Sequence, residues 1–281
     1  MTWYSKYLEV FEKPFSEIDP DLVLKIKEKV TRLQSNAPLV SVVIIAHNEG
    51  SRLLSCIWSL VDNVHDYPIE IIGIDNCSTD NTKEVYKSVG VNYFYEDKPG
   101  PGYARQCGLD HAKGKYYICI DADSIYPKEY IRTMISELSN PSMVAVFALW
   151  SFIPNKKNTK FKLTIYEFIR DIHLRIQTFK RPELSVRGMV FAFDTSLAKQ
   201  IGFRTDIRRG EDGSLLLAMK KSGKVKLILN PKARIMTSSG TLNTDGSLLS
   251  SLAKRISKAT KNLSNYFTKE TKYTNEDSNM L

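Results

Sequence analysis

Tyr116-Tyr117-Ile118-Cys119-Ile120-Asp121-Ala122-Asp123-Ser124 is the stretch that decides the fold. Five residues run without a polar break and deliver two carboxylates one residue apart. A strand covered on both faces reads as such a continuous run, whereas a half-exposed strand alternates. Working upstream, Leu39–Ala46, Ile69–Asp75 and Val91–Tyr95 have the same texture. The segments between them, Ser51–Val64, Thr79–Val89 and Gly102–Ala112, carry apolar residues at helical spacing. Apolar strands alternating with helices predict an α/β chain with a Rossmann-like, mainly parallel central sheet flanked by helices.

Downstream the pattern loosens. Phe161–Phe179 predicts a long helix, with Phe161, Ile165, Phe168, Ile169, Ile172, Ile176 and Phe179 recurring at helical spacing. Val186–Phe193 predicts a strand, Glu211–Ser222 a helix and Val225–Leu229 a strand. Asp19-Pro20-Asp21 marks the start of a helix over Leu22–Leu33. Ser247–Phe267 reads as a basic amphipathic helix. No linker interrupts the chain. The expected organisation is a single domain over 38–240, with a first half at 38–125 and a second at 126–240. A helical extension, 1–37, precedes it, and a basic amphipathic helix and tail, 241–281, follow.

Composition excludes disordered and fibrous classes: of 281 residues, 42% are hydrophobic and 25% charged. The longest strongly apolar run, Met143–Ile153, is half the length of about 20 residues that a membrane-spanning helix needs. The opening MTWYSKYLEVFEKPF has no apolar leader core, so the expectation is a cytoplasmic protein. Cys56, Cys77, Cys107 and Cys119 fall at no metal-ligand spacing and read as reduced packing residues. Net charge is +9, unevenly placed: residues 1–150 hold 15 Lys/Arg against 20 Asp/Glu, and residues 151–281 hold 25 against 11. A basic second half suits an anionic partner or surface, or is simply a solvated face.

The polar residues gather at strand ends. In open α/β sheets ligands bind outside the carboxyl ends of the strands. Ala46-His47-Asn48-Glu49-Gly50 closes the first strand, Asp75-Asn76 the second, and Asp121-Ala122-Asp123 the fourth. Two neighbouring carboxylates repel unless a cation lies between them. Mn²⁺ and Mg²⁺ take such oxygen ligands and bridge them to phosphates. Gly100-Pro101-Gly102-Tyr103-Ala104-Arg105 sets a cation at a glycine-rich helix start, a geometry that suits phosphate. Ser78 or Thr79 would cap the helix that follows. Glu211-Asp212 fits either an acidic pair at a helix N-terminus or a general base.

These blocks together resemble the family 2 nucleotide-sugar glycosyltransferases, which have the GT-A fold. The resemblance runs from Val40 to Pro231 through VSVVIIAHNEG, IEIIGIDNCSTDNT, GYARQCGLDHAKGKYYICIDADS, VRGMVFAFDTSLAKQIGF, RRGEDGSL and KSGKVKLILNP, in the family's order. It implies a donor site at Ala46, His47, Glu49, Asp75, Asn76, Arg105 and Asp121. It implies a divalent cation, Mn²⁺ or Mg²⁺, on Asp121 and Asp123. Gly188 and Glu211 would face the acceptor, and Asp212 would be the catalytic base. Asn76 stands where many members have a second Asp, which favours a UDP- or dTDP-sugar over a guanine nucleotide. Gln106 replaces a family Asn.

The implied activity is inverting, metal-dependent transfer from a nucleotide-sugar to a hydroxyl of a glycan or lipid-linked glycan. A sugar nucleotidyltransferase would carry a glycine- and basic-rich loop where Asn48–Arg52 stands. A non-catalytic nucleotide-sugar binder would not need Asp212. Nucleic acid is not an expected partner, because the acidic strand ends repel phosphate and no recognised module is present. Lys156, Lys157, Lys160, Lys162, Arg170, Arg175, Lys180 and Arg181 flank or line the long helix. Lys254, Arg255, Lys258 and Lys261 lie opposite Leu248, Leu252, Ile256 and Leu263 on the last. Such a helix either lies on an anionic inner membrane face, as a peripheral contact, or packs its Leu face on the domain.

Overall fold

A computed structural model describes residues 2–239. The predicted 241–281 helix and tail lie outside the described residues.

The four apolar runs form the parallel half of the main sheet. These are β1 (Val40–Ala46), β2 (Ile69–Asn76), β3 (Asn92–Glu96) and β4 (Tyr116–Asp121). β1 pairs in parallel with both β2 and β4, setting Val40 opposite Ile69 and Tyr116. Helices α2 (Leu53–Val61), α3 (Thr82–Val89) and α4 (Pro101–His111) connect them. β-branched side chains suit this pleated, doubly covered surface, and Val40, Val42, Val43 and Ile44 are fully buried. The predicted Val91–Tyr95 strand departs from this, because β3 is the sheet's edge, with Asn92 and Tyr95 exposed and the rest half-buried. Because β2 and β4 lie on opposite sides of β1, strand order reverses there. A crevice therefore opens above the carboxyl ends of β1 and β4.

Past β4 the sheet changes direction. β8 (Phe191–Asp194) pairs antiparallel with both β4 and β6 (Met143–Ala148), and β9 (Lys224–Ile228) runs parallel to β6. The seven-stranded order is β3-β2-β1-β4-β8-β6-β9. The chain is thus the mainly parallel, helix-flanked α/β architecture expected, with β8 as the reversed strand. A second, three-stranded sheet joins β5 (Ser124–Ile125), β10 (Ile235–Thr237) and β7 (Trp150–Phe152).

Several predicted elements are redrawn. The apolar run Met143–Ile153 is two strands, β6 and β7, serving different sheets, with no Gly or Pro between them to mark the break. Of the predicted 186–193 strand only Phe191–Phe193 pairs as a strand, which runs on to Asp194. Gly188–Val190 is a 3-10 turn closed by the Val190 N–H on the Arg187 carbonyl (3.1 Å). Ser78 and Thr79 do not cap α3, which starts at Thr82; its N–H is taken by Asp80 Oδ1 (2.9 Å). α5 (Tyr130–Leu138) and α7 (Thr195–Ile201) have no counterpart in the sequence reading.

Helix α1 (Pro20–Leu33) begins where Asp19 accepts the Asp21 N–H (2.9 Å). Residues before it pack on α2: Tyr7 is buried, its hydroxyl donates to Asp62 (3.1 Å), and Ser55 Oγ donates to the Tyr7 carbonyl (2.9 Å). Lys6 and Lys29 also close on Asp62.

The long helix α6 (Lys160–Lys180) is present, but of its periodic apolar residues only Ile169 packs on the core, and the other six face outward. Leu163, Tyr166, Arg170, Leu174 and Gln177 form its buried side. Helix α8 (Glu211–Met219) follows Gly210, whose positive φ of 94° turns the chain into the helix.

Candidate active site

The two turns after β1 and β2 are laced together. The Asn48 N–H donates to Ser78 Oγ (2.9 Å) and Asn48 Oδ1 accepts the Thr79 N–H (2.8 Å). The Glu49 N–H donates to Thr82 Oγ1, and the Gly50 N–H to Asp80 Oδ2, both at 2.9 Å. A Cβ at Gly50 would stand 1.8 Å from Asn81 Oδ1, so that side chain would have to swing aside. This lacing fixes the two turns against each other and leaves Ala46, His47 and Glu49 facing the crevice.

A cleft of about 470 Å³ opens there. Ala46, His47 and Glu49 form one wall, Asn76 and Gly100–Pro101 an end. Asp121 and Asp123 lie on the floor, and Gly188, Glu211 and Asp212 form the far wall. Of the residues predicted from sequence, Asp75 alone is off the cleft surface. It is buried, with Oδ1 accepting the Ser78 N–H and Oδ2 the Tyr93 hydroxyl, each at 3.1 Å. Asn76 reaches the cleft but is tied down: Nδ2 donates to the Lys98 carbonyl (2.7 Å) and Oδ1 accepts the Gly100 N–H (2.8 Å). It thereby fixes the start of α4. His47 is exposed, and its Nδ1 lies 2.6 Å from the Asn76 carbonyl.

Arg105 does not project from the helix start as a free cation. Its side chain is 2% exposed. The guanidinium donates to Asp121 and to the Ile120 carbonyl (3.3 Å), and its Nε stands 3.6 Å from Asp212 Oδ1. Among the described residues, Asp212 Oδ1 and Arg105 Nε have no hydrogen-bond partner. Room for this bridge comes from Gly188, where a Cβ would meet Arg105 Nη2 at 2.0 Å and Asp212 Oδ2 at 2.8 Å. Gln106 fastens α4 to the loop after α7, its Oε1 accepting the Phe203 N–H (2.7 Å).

Burial and like charge set the protonation of the site. Burial raises the Asp212 carboxyl to about 7, Glu211 and Asp121 add to the rise, and Arg105 opposes it. Glu49 also rises to about 7, by burial against the pull of Arg52, with Asp123 and Asp121 raising it further. Asp123 is raised by burial and by Asp121. Asp212 and Glu49 are thus poised to exchange protons near neutrality.

Sequence reasoning missed the residues that support Asp123. Ser238 Oγ donates to Asp123 Oδ2, Ser124 Oγ to Oδ1 (3.2 Å), and Arg52 Nη1 stands 3.9 Å from Oδ2. Ser238 arrives from β10, across the small sheet, and no local spacing announces it. The Tyr126 hydroxyl accepts the Asp121 N–H (3.2 Å) and donates to the Met189 carbonyl (3.1 Å), so it braces floor and far wall together.

Asp121 and Asp123 offer only oxygen. Among the described residues no cluster of three or more His, Cys, Asp or Glu could hold a metal alone. The pair fits a hard divalent cation that completes its shell with substrate phosphates and water, rather than one caged by protein.

Residues 41–202 match the model of glycosyl transferase family 2. An uncharacterized glycosyltransferase of Rickettsia felis is 24% identical over 265 residues, covering 85% of this chain and 43% of that protein. The chain thus spans about two-fifths of that relative's length. Among solved structures, a mannosyltransferase from Pyrobaculum calidifontis, in complex with GDP-Man and Mn²⁺, superposes with a TM-score of 0.57 at 18% identity. That match covers 95% of this chain and 75% of that one. The glucosyl-3-phosphoglycerate synthase of Mycobacterium tuberculosis, in complex with Mn²⁺, UDP-Glc and phosphoglyceric acid, gives 0.54 at 16% identity, covering 89% and 85%. At these identities the likeness is one of fold, the GT-A fold.

Proposed function

The chain belongs to glycosyl transferase family 2, and from that premise we propose that it transfers a sugar, with inversion, from a nucleotide-sugar to an acceptor hydroxyl. The observation that carries this reading is the cleft itself. The Asp121–Asp123 pair lies on its floor and Asp212 on its far wall, joined through buried Arg105. A displacement needs those two parts on opposite sides of the reacting carbon.

The nucleoside lies along Ala46–Glu49 and Asn76, with Asp75 holding the turn beneath it. Asn in the base-reading position favours a uracil or thymine nucleotide. The sugar projects toward Gly188 and Glu211. The acceptor oxygen attacks the anomeric carbon as the bond to the diphosphate oxygen breaks. That oxygen keeps the electron pair, and the acceptor proton passes to Asp212. A sugar hydroxyl is a weak nucleophile until its proton has a destination, which is why a carboxylate with an affinity near neutral pH is effective. Arg105 acts as a positioning residue: it fixes Asp121 and keeps Asp212 close to a compensating charge. Asp121 and Asp123 would hold Mn²⁺ or Mg²⁺, which, when bound, neutralises charge building on the leaving diphosphate. We divide the chain as 38–125 for the donor and 126–240 for the acceptor. The acceptor is a glycan or lipid-linked glycan, met at an anionic inner membrane face.

The test is a thermal-shift panel of UDP, dTDP, GDP and CMP, each with Mn²⁺, Mg²⁺ or EDTA, on wild type and Asp212→Asn. A bound ligand raises stability by mass action. Metal-dependent stabilisation by UDP or dTDP in both proteins, with transfer lost only in the variant, is expected. Stabilisation without transfer by the wild type to any acceptor would make the chain a nucleotide-sugar binder instead.

A further inference from the structure

Helix α6 presents an apolar stripe to solvent. Phe161, Ile165, Phe168, Ile172, Ile176 and Phe179 are spaced by three or four residues, and each is 42–88% exposed. They share one side of a 21-residue helix, a ridge about 30 Å long. Soluble monomers scatter exposed apolar residues singly, so a continuous ridge marks a contact surface.

The charges around the ridge identify what it contacts. Both acids of α6 are turned inward. Glu167 accepts from Ser151 Oγ and the Phe152 N–H, each at 2.7 Å, and Asp171 pairs with Arg170 and Arg234. The exposed charges of the helix, Lys160, Lys162, Arg175 and Lys180, are all positive, and Lys156 and Lys157 precede it. A second copy laid antiparallel would set Lys160 and Lys162 against Arg175 and Lys180. The chain's own 240–281 segment carries six Lys/Arg, Lys254, Arg255, Lys258 and Lys261 among them, against four Asp/Glu, so it too is net positive. An apolar ridge flanked by cations alone is complementary to an anionic lipid surface, where rings enter the acyl boundary and Lys/Arg meet headgroups.

We infer that the outer face of α6 is a docking surface for an anionic bilayer. This rests on the glycosyltransferase reading only for its purpose, since no residue of α6 lines the cleft. Arg170 on the inner side donates to the Trp150 carbonyl and stacks 4.4 Å over its ring. Arg187, of the acceptor wall, stands 5.9 Å from the same ring. A bilayer under α6 would therefore hold a lipid-borne acceptor close to the far wall.

The experiment is co-sedimentation of the full chain with vesicles of phosphatidylcholine, with and without about one-third phosphatidylglycerol. The wild type is expected to bind the anionic vesicles and to release in high salt. Phe168→Glu/Ile176→Glu should bind at least tenfold more weakly, and Lys162→Glu/Arg175→Glu should lose the preference for anionic lipid. Each variant should keep the nucleotide-induced thermal shift, which reports an intact fold. Asp212→Asn should bind vesicles as wild type, separating this inference from the catalytic one. Unchanged vesicle binding by Phe168→Glu/Ile176→Glu would overturn it, because the 240–281 segment would then be the anchor. A wild-type dimer that this variant dissolves would also overturn it, making the ridge a self-association face.

Discussion

Asp212 is held at odds with its surroundings. Its carboxyl is raised to about 7, so in the free protein it is largely protonated below that pH and ionised above. As the base it must be ionised, so kcat/KM should climb with pH and level off past about 7. A profile flat from acid to alkaline pH would remove it from that role. Glu49 titrates in the same range, and repeating the profile with Glu49→Gln assigns the limb. The same shift has a stability consequence. The folded state binds a proton at Asp212 that the unfolded state has released, so between the ordinary carboxylate range and about 7 stability falls as pH rises. Asp212→Asn removes that slope. In EDTA its melting temperature should exceed wild type by more at pH 8 than at pH 5; an equal or lower value at pH 8 would show that Asp212 stabilises the fold. Asp123→Ala should abolish the cation dependence of nucleotide stabilisation while sparing the apo melting temperature. Persistence of that dependence would remove Asp123 from the cation site.

At the scale of elements, α4 ties the site together. Pro101 starts it, Asn76 holds its entry, and Gly102 lets it approach the loop after α7. A Cβ on Gly102 would come 2.3 Å from the Arg204 carbonyl, which is backbone and cannot swing aside. Gly102→Ala should cost on the order of 1–3 kcal/mol and displace Arg105, seen as a lower denaturant midpoint with weakened transfer. Ser238→Ala acts more locally. It strips a donor from Asp123, so the variant should need several-fold more Mn²⁺ for half-maximal nucleotide stabilisation, with kcat at saturating cation little changed. A wild-type cation requirement would show that β10 only closes the small sheet.

Across the whole molecule, the parallel half was legible in the sequence because β1, β2 and β4 are doubly buried runs ending in polar residues, whereas β3, at the sheet edge, is only partly covered. That Ala46, His47, Glu49, Asn76, Asp121 and Asp123 line one cleft, which we propose as the donor side, was legible because strand ends converge where the sheet reverses its order. The second half was less so. β6 and β7 read as one apolar run because nothing polar separates them, and the six-residue ridge of α6 has the period of a buried face while facing solvent. Periodicity reports that a helix has two sides, not which side is covered. Ser238, Arg52 and Tyr126 escaped because their partners are set by tertiary return of the chain.

The reversed strand β8 also imposes an order on synthesis. By Asp121 the emerging chain can pair β1 to β4, but the outer edge of β4 stays open until Phe191–Asp194 arrives. That edge is Tyr-Tyr-Ile-Cys-Ile, a segment of the kind that recruits other strands. Roughly seventy residues separate the two, which at about 5–20 residues per second is several seconds of translation. Slow codons between β4 and β8 should therefore lower soluble yield, and a chaperone that shelters a nascent edge should restore it.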